Sequence, residues 1–225
     1  LTQKQVDGIL LVASGDAPER TARLQDRTIP IVLIDRELPA PSVDCVLIDN
    51  AEGSRLATQH LVALGHRRIA CITGLGGSSP GAERLAGYRR ALADAGLACD
   101  ERWILDGDFL DRGGFLAAQA LLTQDEPPTA IFAANDLMAM GAIAAACQAN
   151  IAVPQALSVV GFDDIHLAEF FNPPLTTVAQ PKHELGVIAA QMLFARLENS
   201  AMPPQRQLLS TELIVRGSTA PHQER

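Results

Sequence analysis

The chain has 225 residues, of which 48% are hydrophobic but only 4% aromatic, and its formal net charge is −8. This length allows one large or two modest domains with a substantial core, and the hydrophobic fraction argues against disorder. The negative charge gives these residues no electrostatic reason to bind nucleic acid, and no apolar run is long enough to span a membrane.

Apolar and amphipathic segments alternate along the chain. Strands are predicted over residues 6–13, 31–34, 43–48, 69–72, 103–105, 130–134, 157–160, 176–180 and 208–215. Helices are predicted over residues 17–26, 51–65, 84–95, 115–122, 137–149 and 182–198, where apolar positions recur at helical spacing. The first strand, 6–13, is predicted to be buried on both faces, as parallel sheets require, and burial is also predicted for the apolar runs 31–34 and 157–160. The alternation predicts an α/β protein with parallel sheets flanked by helices. The polar residues from Ser218 onward predict a frayed end.

Polar side chains follow strand after strand. They are Asp35-Arg36, Arg84 after the glycine-rich loop 74–81, Asp108-Phe109, Asn135-Asp136 and Asp163-Asp164. Each Asp or Asn alone has a simpler explanation, because these residues commonly cap helices. Capping does not call for the arginines or for Phe109, however. Since ligands bind beyond the carboxyl ends of parallel strands, the set predicts a ligand site there. Carboxylates, amides, guanidinium groups and an aromatic ring together suit a carbohydrate.

Other kinds of site find less support in the sequence. The loop 74–81 fits neither the dinucleotide-binding glycine pattern nor a P-loop, because its glycines are spaced differently and no lysine follows. No nucleophile–histidine–acid set has motif context, so we expect no catalytic residues and no enzyme. The five histidines have no metal-ligand spacing, and the four cysteines form no CxxC pair. We therefore expect no metal, no cofactor and mostly buried thiols in a reducing compartment.

Five segments, taken in order, carry a family resemblance. They are HLVALGHRRIACITG (60–74), RLAGYRRAL (84–92), AIFAANDLMAMGAIAA (130–145), VVGFDDI (159–165) and PPLTTVAQP (173–181). They resemble the effector-binding domain of the lactose-repressor/galactose-repressor family of bacterial transcription regulators. Within that family, the ribose-responsive members look most similar.

The resemblance implies a two-lobed fold like that of periplasmic sugar-binding proteins. The chain would cross between lobes near Asp49, Gln180 and Leu208. The amino-terminal lobe would comprise residues 1–49 with 181–207, lacking the family's opening strand–helix–strand. The carboxyl-terminal lobe would comprise residues 50–180 with 208–219, followed by a tail over 220–225. The family's DNA-binding helix-turn-helix would lie outside this sequence.

The resemblance also implies effector contacts. Arg84 matches the family's effector-gripping arginine, and Asn135 and Asp163 match its polar partners. Periplasmic ribose-binding proteins look similar at further positions, namely Asp35, Arg36, Phe109 and Gln180. Ribose or a similar aldose is therefore the expected effector.

The implied function is that of a cytoplasmic repressor without membrane contact. A homodimer would bind operator DNA through the helix-turn-helix, and sugar would control that binding by favouring closure of the lobes. The alternative is a periplasmic sugar-binding protein of a transport system.

Overall fold

A computed structural model describes residues 6–12, 29–35, 43–74 and 78–223. The described chain divides into two compact units. Unit 1 comprises residues 1–49 and 181–210, and unit 2 comprises residues 50–180 and 211–225. The predicted helix over 17–26 and the predicted site residue Arg36 lie outside the described residues.

Unit 1 contains a four-stranded sheet of order β1-β2-β3-β9 with every described pairing parallel. Its described elements are β1 (Ile9–Val12), β2 (Ile31–Ile34), β3 (Asp44–Ile48), β9 (Arg206–Leu209) and the helix α6 (Lys182–Glu198). The prediction that the first strand is buried on both faces is wrong. Its residues alternate between part-buried and exposed, and Val12 is 69% exposed, because β1 lies at the edge of the described sheet.

A buried ion pair fastens α6 to the sheet of unit 1. Nε and Nη2 of Arg196 donate to the two carboxylate oxygens of Asp44 at 2.9 and 2.7 Å. The same guanidinium donates to the carbonyl of Pro203, and Asp44 also accepts from the backbone N–H of Gln205. The turn between α6 and β9 is thereby tied to the start of β3.

Unit 2 contains a six-stranded sheet of order β10-β8-β7-β6-β4-β5. Its elements are β4 (Ile69–Thr73), β5 (Ile104–Asp106), β6 (Ala130–Ala133), β7 (Ser158–Asp163), β8 (Thr176–Ala179), β10 (Glu212–Ile214), α1 (Asn50–Ala63), α2 (Ser79–Asp94), α3 (Asp111–Leu122), α4 (Asp136–Gln148) and α5 (His166–Phe170), with a 3-10 turn at Glu101–Trp103. Strands β4 to β8 are parallel, and β10 is antiparallel to β8.

Helices pack on both faces of this sheet. Helices α3 and α4 cover the face that carries Ile72 and Ile131, in a core rich in alanine. Helices α1 and α2 pack together over the alternate residues, among them Phe162. Each fully buried side chain of this size contributes about 1.5–3 kcal/mol. The predicted α/β class with parallel sheets and flanking helices is confirmed.

The carboxyl-terminal part of the chain differs from the prediction in two ways. The single strand predicted over 208–215 is two strands, β9 and β10, which belong to different sheets, so residues 208–210 lie in unit 1. The predicted fraying from Ser218 is also wrong for the described residues. The Ser218 hydroxyl is fully buried and donates to the carbonyl of Val159, and His66 lies 3.1 Å from the carbonyl of Ala220.

The cysteines follow the prediction in part. All four are free thiols; Cys45 and Cys71 are buried, but Cys147 is exposed. Burial raises the pKa of the Cys71 thiol far above its ordinary value, so this thiol is unreactive.

Candidate functional site

The candidate site lies at the carboxyl edge of the unit 2 sheet. Because β4 to β8 are parallel, the residues that follow them meet at one edge. These residues are Gly74 after β4, Phe109 beyond β5, Asn135 after β6, Asp163 at the end of β7 and Gln180 after β8. Arg84 reaches the same edge from the second turn of α2.

Arg84 is the centre of this group. Its side chain is 3% exposed, and its Nη1 lies 3.2 Å from Oδ1 of Asp163. Nη1 also donates to the carbonyl of Ala134 at 2.5 Å, and Nε donates to Oδ1 of Asn50 at 2.7 Å. The guanidinium carbon lies 3.7 Å from the centroid of the Phe162 ring, in cation–π contact. These contacts fix the position of the guanidinium group, while its Nη2 makes no hydrogen bond to the residues that the structure describes.

Asp163 joins two of the predicted residues. Its Oδ1 accepts from Nε2 of Gln180 at 2.6 Å in addition to facing Arg84. The carboxylate is 25% exposed, so it is within reach of a ligand. The backbone at Asp163 has a φ of 106°, a conformation that residues other than glycine rarely adopt.

Asn135 and Phe109 form a second pair. Nδ2 of Asn135 donates to the backbone carbonyl of Phe109 at 2.9 Å, and its Oδ1 caps α4 by accepting from the N–H of Met138. The aromatic ring lies over Gly74, where a Cβ atom would fall 1.9 Å from it. Glycine at this position therefore makes room for the ring.

Three of the strand-end acidic residues named in the sequence analysis have other positions or partners. Asp35 belongs to unit 1, where it follows β2. Asp164 pairs with Arg216 at 2.8 Å instead of joining Arg84. Oδ1 of Asp108 accepts from the N–H of Leu110, two residues further on, and so forms a turn ahead of α3 without capping that helix.

Two residues of the candidate site, Asn50 and Phe162, were absent from the set predicted from the sequence, and a third, Asp136, was in that set without an assigned role. Asn50 holds Arg84 and also donates to Glu83, and Phe162 supports the guanidinium group from below. Asp136, fully buried at the start of α4, accepts from the Thr177 hydroxyl and from the N–H of Ile165. Burial raises the pKa of Asp136 to about 7, against the opposing effect of these hydrogen bonds. The strand-end pattern included Asp136 beside Asn135, but the effector contacts were assigned to Asn135 alone.

The arrangement combines a carboxylate, a guanidinium group, two amides and an aromatic ring. Such a set can hydrogen-bond the hydroxyls of a polar ligand and cover an apolar face of it. Within the described residues, no cluster of His, Cys, Asp and Glu has the geometry to hold a metal ion. The same residues contain no helix that is long and apolar enough to cross a membrane.

Comparison with known proteins identifies the family. Residues 58–219 match the model of the periplasmic binding protein-like domain. The chain is 42% identical over 219 residues to the ribose operon repressor of Escherichia coli K12, and the alignment covers 97% of this chain and 66% of that protein.

Solved structures give the same result. A complex of the transcriptional regulator CelR with cellobiose is 40% identical, with a TM-score of 0.89 over 95% of this chain and 66% of that one. A LacI family regulator from Enterococcus faecium with bound ribose is 30% identical, with a TM-score of 0.88 over 97% of this chain and 81% of that one.

Fold and site thus define a ligand-binding domain of the periplasmic-binding-protein-like class. The chain belongs to the LacI family of transcriptional regulators, and it corresponds to the effector-binding domain of that family. The family predicted from the five sequence motifs is confirmed. The chain spans just under two thirds of the length of the ribose operon repressor.

Proposed function

We propose that this domain senses a sugar, with ribose or a similar aldose as the effector, and thereby controls a bacterial transcriptional repressor. The observation that carries the proposal is the Arg84–Asp163 pair at 3.2 Å. A buried guanidinium group fixed by protein acceptors, next to a part-exposed carboxylate, offers both donors and acceptors to a hydroxylated ligand.

The charges of the site favour a neutral ligand. Asp163 offsets the positive charge of Arg84, and Asp164 is offset by Arg216. A sugar phosphate would bring about two more negative charges towards these carboxylates. Their repulsion is strong in a partly desolvated site, so a free sugar should bind more tightly than its phosphate.

The proposed effector contacts are those predicted from the sequence: Asp35, Arg36, Arg84, Phe109, Asn135, Asp163 and Gln180. Contacts within unit 2 support five of these assignments. Asp163 contacts both Arg84 and Gln180, and Asn135 donates to the carbonyl of Phe109. Asp35 and Arg36 are included on the family resemblance alone.

In the intact protein, sugar binding would shift the population of domain conformations and so change DNA affinity. We propose that a cytoplasmic homodimer binds operator DNA through a helix-turn-helix outside this sequence, and that this domain binds without catalysing a reaction. A transport function, the alternative from the sequence, finds less support, because the relatives reported above are transcription regulators.

Similarity alone leaves the sugar open, since one related structure holds cellobiose and another holds ribose. The test is calorimetric titration of the intact protein with D-ribose, D-allose, cellobiose and ribose 5-phosphate at one fixed salt concentration. We expect tightest binding of ribose or allose. Tighter binding of ribose 5-phosphate would contradict the charge argument, and tightest binding of cellobiose would contradict the aldose assignment.

A further inference from the structure

One buried carboxylate connects three segments at the carboxyl edge of the unit 2 sheet. Asp136 is the first residue of α4 and is fully buried. Its Oδ2 accepts from the backbone N–H of Ile165 at 2.8 Å, and its Oδ1 accepts from the hydroxyl of Thr177 at 2.5 Å. The side chain therefore ties α4 both to β8 and to residues 163–165, which we call the acidic turn.

The sequence makes room for this carboxylate on the neighbouring strand. A Cβ atom at Gly161 would lie 2.3 Å from Oδ1 of Asp136, well inside van der Waals contact. The absence of a side chain at Gly161, in the motif GFDD, therefore leaves space for the carboxylate of Asp136, in the motif AND. The two motifs form one packed unit even though they lie on different strands.

The acidic turn needs such a hold because its backbone is strained. Asp163 has a φ of 106° and Asp164 a φ of 49°, values that side chains of L-residues disfavour. The hydrogen bond to Asp136 comes at the next residue, Ile165. The Thr177 hydroxyl also accepts from the N–H of Asp164 at 3.4 Å. Without these bonds the turn could relax and carry the Asp163 carboxylate away from Arg84.

We infer that Asp136 is a positioning residue for effector recognition, which holds the acidic turn so that Asp163 faces Arg84 and Gln180. Because Asp136 is fully buried, it acts through the turn and does not touch the ligand. This inference rests on the proposed function in one respect, namely that Asp163 contacts the sugar.

Two variants of Asp136 separate positioning from charge. Asp136→Ala removes both acceptors. Asp136→Asn keeps one oxygen for Ile165, and its amide can donate to the Thr177 hydroxyl, so the turn stays held without a charge. Thr177→Val keeps the shape of the side chain and removes the hydroxyl, which gives a second test if the alanine variant does not fold. Tyr88→Phe is the matched control, because it deletes a buried hydrogen bond to the Ile69 carbonyl at the other end of the sheet.

Two measurements on the intact protein decide the matter. The first is backbone hydrogen exchange over residues 163–165 without ligand, and the second is the affinity for D-ribose by calorimetry. We expect Asp136→Ala to speed exchange in the turn and to weaken ribose binding about tenfold or more, equivalent to about 1.4 kcal/mol. Thr177→Val should show the same changes to a smaller extent. Asp136→Asn should restore both values, and Tyr88→Phe should lower the melting temperature while leaving both unchanged.

The outcomes distinguish this inference from the proposed function. If the wild type does not bind ribose, the proposed effector is wrong, and the exchange measurement still decides whether Asp136 holds the turn. Unchanged exchange in Asp136→Ala and Thr177→Val overturns the inference. If these variants exchange faster but bind ribose with wild-type affinity, the inference is overturned as well, because the position of the turn would then not affect recognition.

Discussion

The side-chain amide of Asn135 holds the backbone carbonyl of Phe109 through Nδ2 at 2.9 Å. Phe109 has a φ of 63°, in the left-handed region that non-glycine residues avoid. The oxygen of the same amide is committed to the N–H of Met138 as the cap of α4. A sugar would therefore meet the remaining hydrogen on Nδ2, and Asn135 would contribute as much by fixing Phe109 as by direct contact.

Substitution of Asn135 by Asp and by Ala separates these two roles. Asn135→Asp keeps the capping oxygen and loses the donor to Phe109, so we expect ribose affinity to fall about tenfold with the stability of α4 retained. Asn135→Ala should lose affinity and also about 1 kcal/mol of stability through the missing cap. Calorimetry and thermal unfolding measure the two effects. Unchanged affinity in Asn135→Asp would show that the hold on Phe109 is irrelevant to binding.

Gly74→Ala should displace the aromatic ring of Phe109. The added methyl would lie 1.9 Å from the nearest atom of the ring, far inside van der Waals contact, so the ring must move. We expect a several-fold loss of ribose affinity, because the displaced ring would no longer cover the apolar face of the proposed ligand. Gly186→Ala is the control, since nothing lies within 4 Å of a Cβ atom at that position in α6. It should leave affinity unchanged and add about 0.5–1 kcal/mol of stability.

Asp163→Ala should weaken ribose binding about tenfold or more, because the proposed acceptor of the ligand and the counter-charge of Arg84 are both lost. Calorimetry measures the affinity, and circular dichroism checks that the fold is retained. Asp164→Asn is the comparison, because that carboxylate pairs with Arg216 and not with Arg84. An equal loss in both variants would point to damage of the acidic turn as a whole rather than to a ligand contact of Asp163.

The raised pKa of Asp136 predicts a pH dependence of stability. Burial raises this pKa from 3.8 to about 7, so between those values the folded protein retains a proton that the unfolded chain releases. The contribution of Asp136 to the free energy of unfolding therefore falls as pH rises from about 4 to about 7, by at most roughly 4 kcal/mol. Asp136→Asn does not titrate. Its stability relative to the wild type should rise over this interval in denaturant titrations at several pH values, and a flat difference would contradict the shift.

The sequence predicted most of the fold because its signals are local. Helix α6 has the predicted bounds, 182–198, and Gly65 follows α1 with a φ of 89°, as a helix end requires. The break between β9 and β10 escaped prediction, since residues 208–215 look like one extended run and nothing local marks a change of sheet. The position of Ser218 was predicted wrongly because a polar residue near a chain end suggests exposure. Its hydroxyl is instead buried, where it donates to the carbonyl of Val159 and accepts from the N–H of Thr176.

The site was predictable as a set of residues but not as a set of contacts. Arg84, Asn135 and Asp163 were recognisable from motifs at strand ends. Asn50 and Phe162 gave no such signal, because their roles depend on which helix packs over which strand. Asp136 shares a motif with Asn135, yet its partners Ile165 and Thr177 lie on other segments of the chain.

The order of the strands has a consequence for how the protein is made. Strands β4 to β8 all come from the single segment 69–179, so a ribosome completes them before it reaches α6. Strand β3, by contrast, must wait for β9, its neighbour in the unit 1 sheet, which follows that entire segment. We expect the parallel strands β4 to β8 of unit 2 to fold first, while β3 still lacks its second neighbour, so that the sheet of unit 1 is completed only after its early strands have left the ribosome.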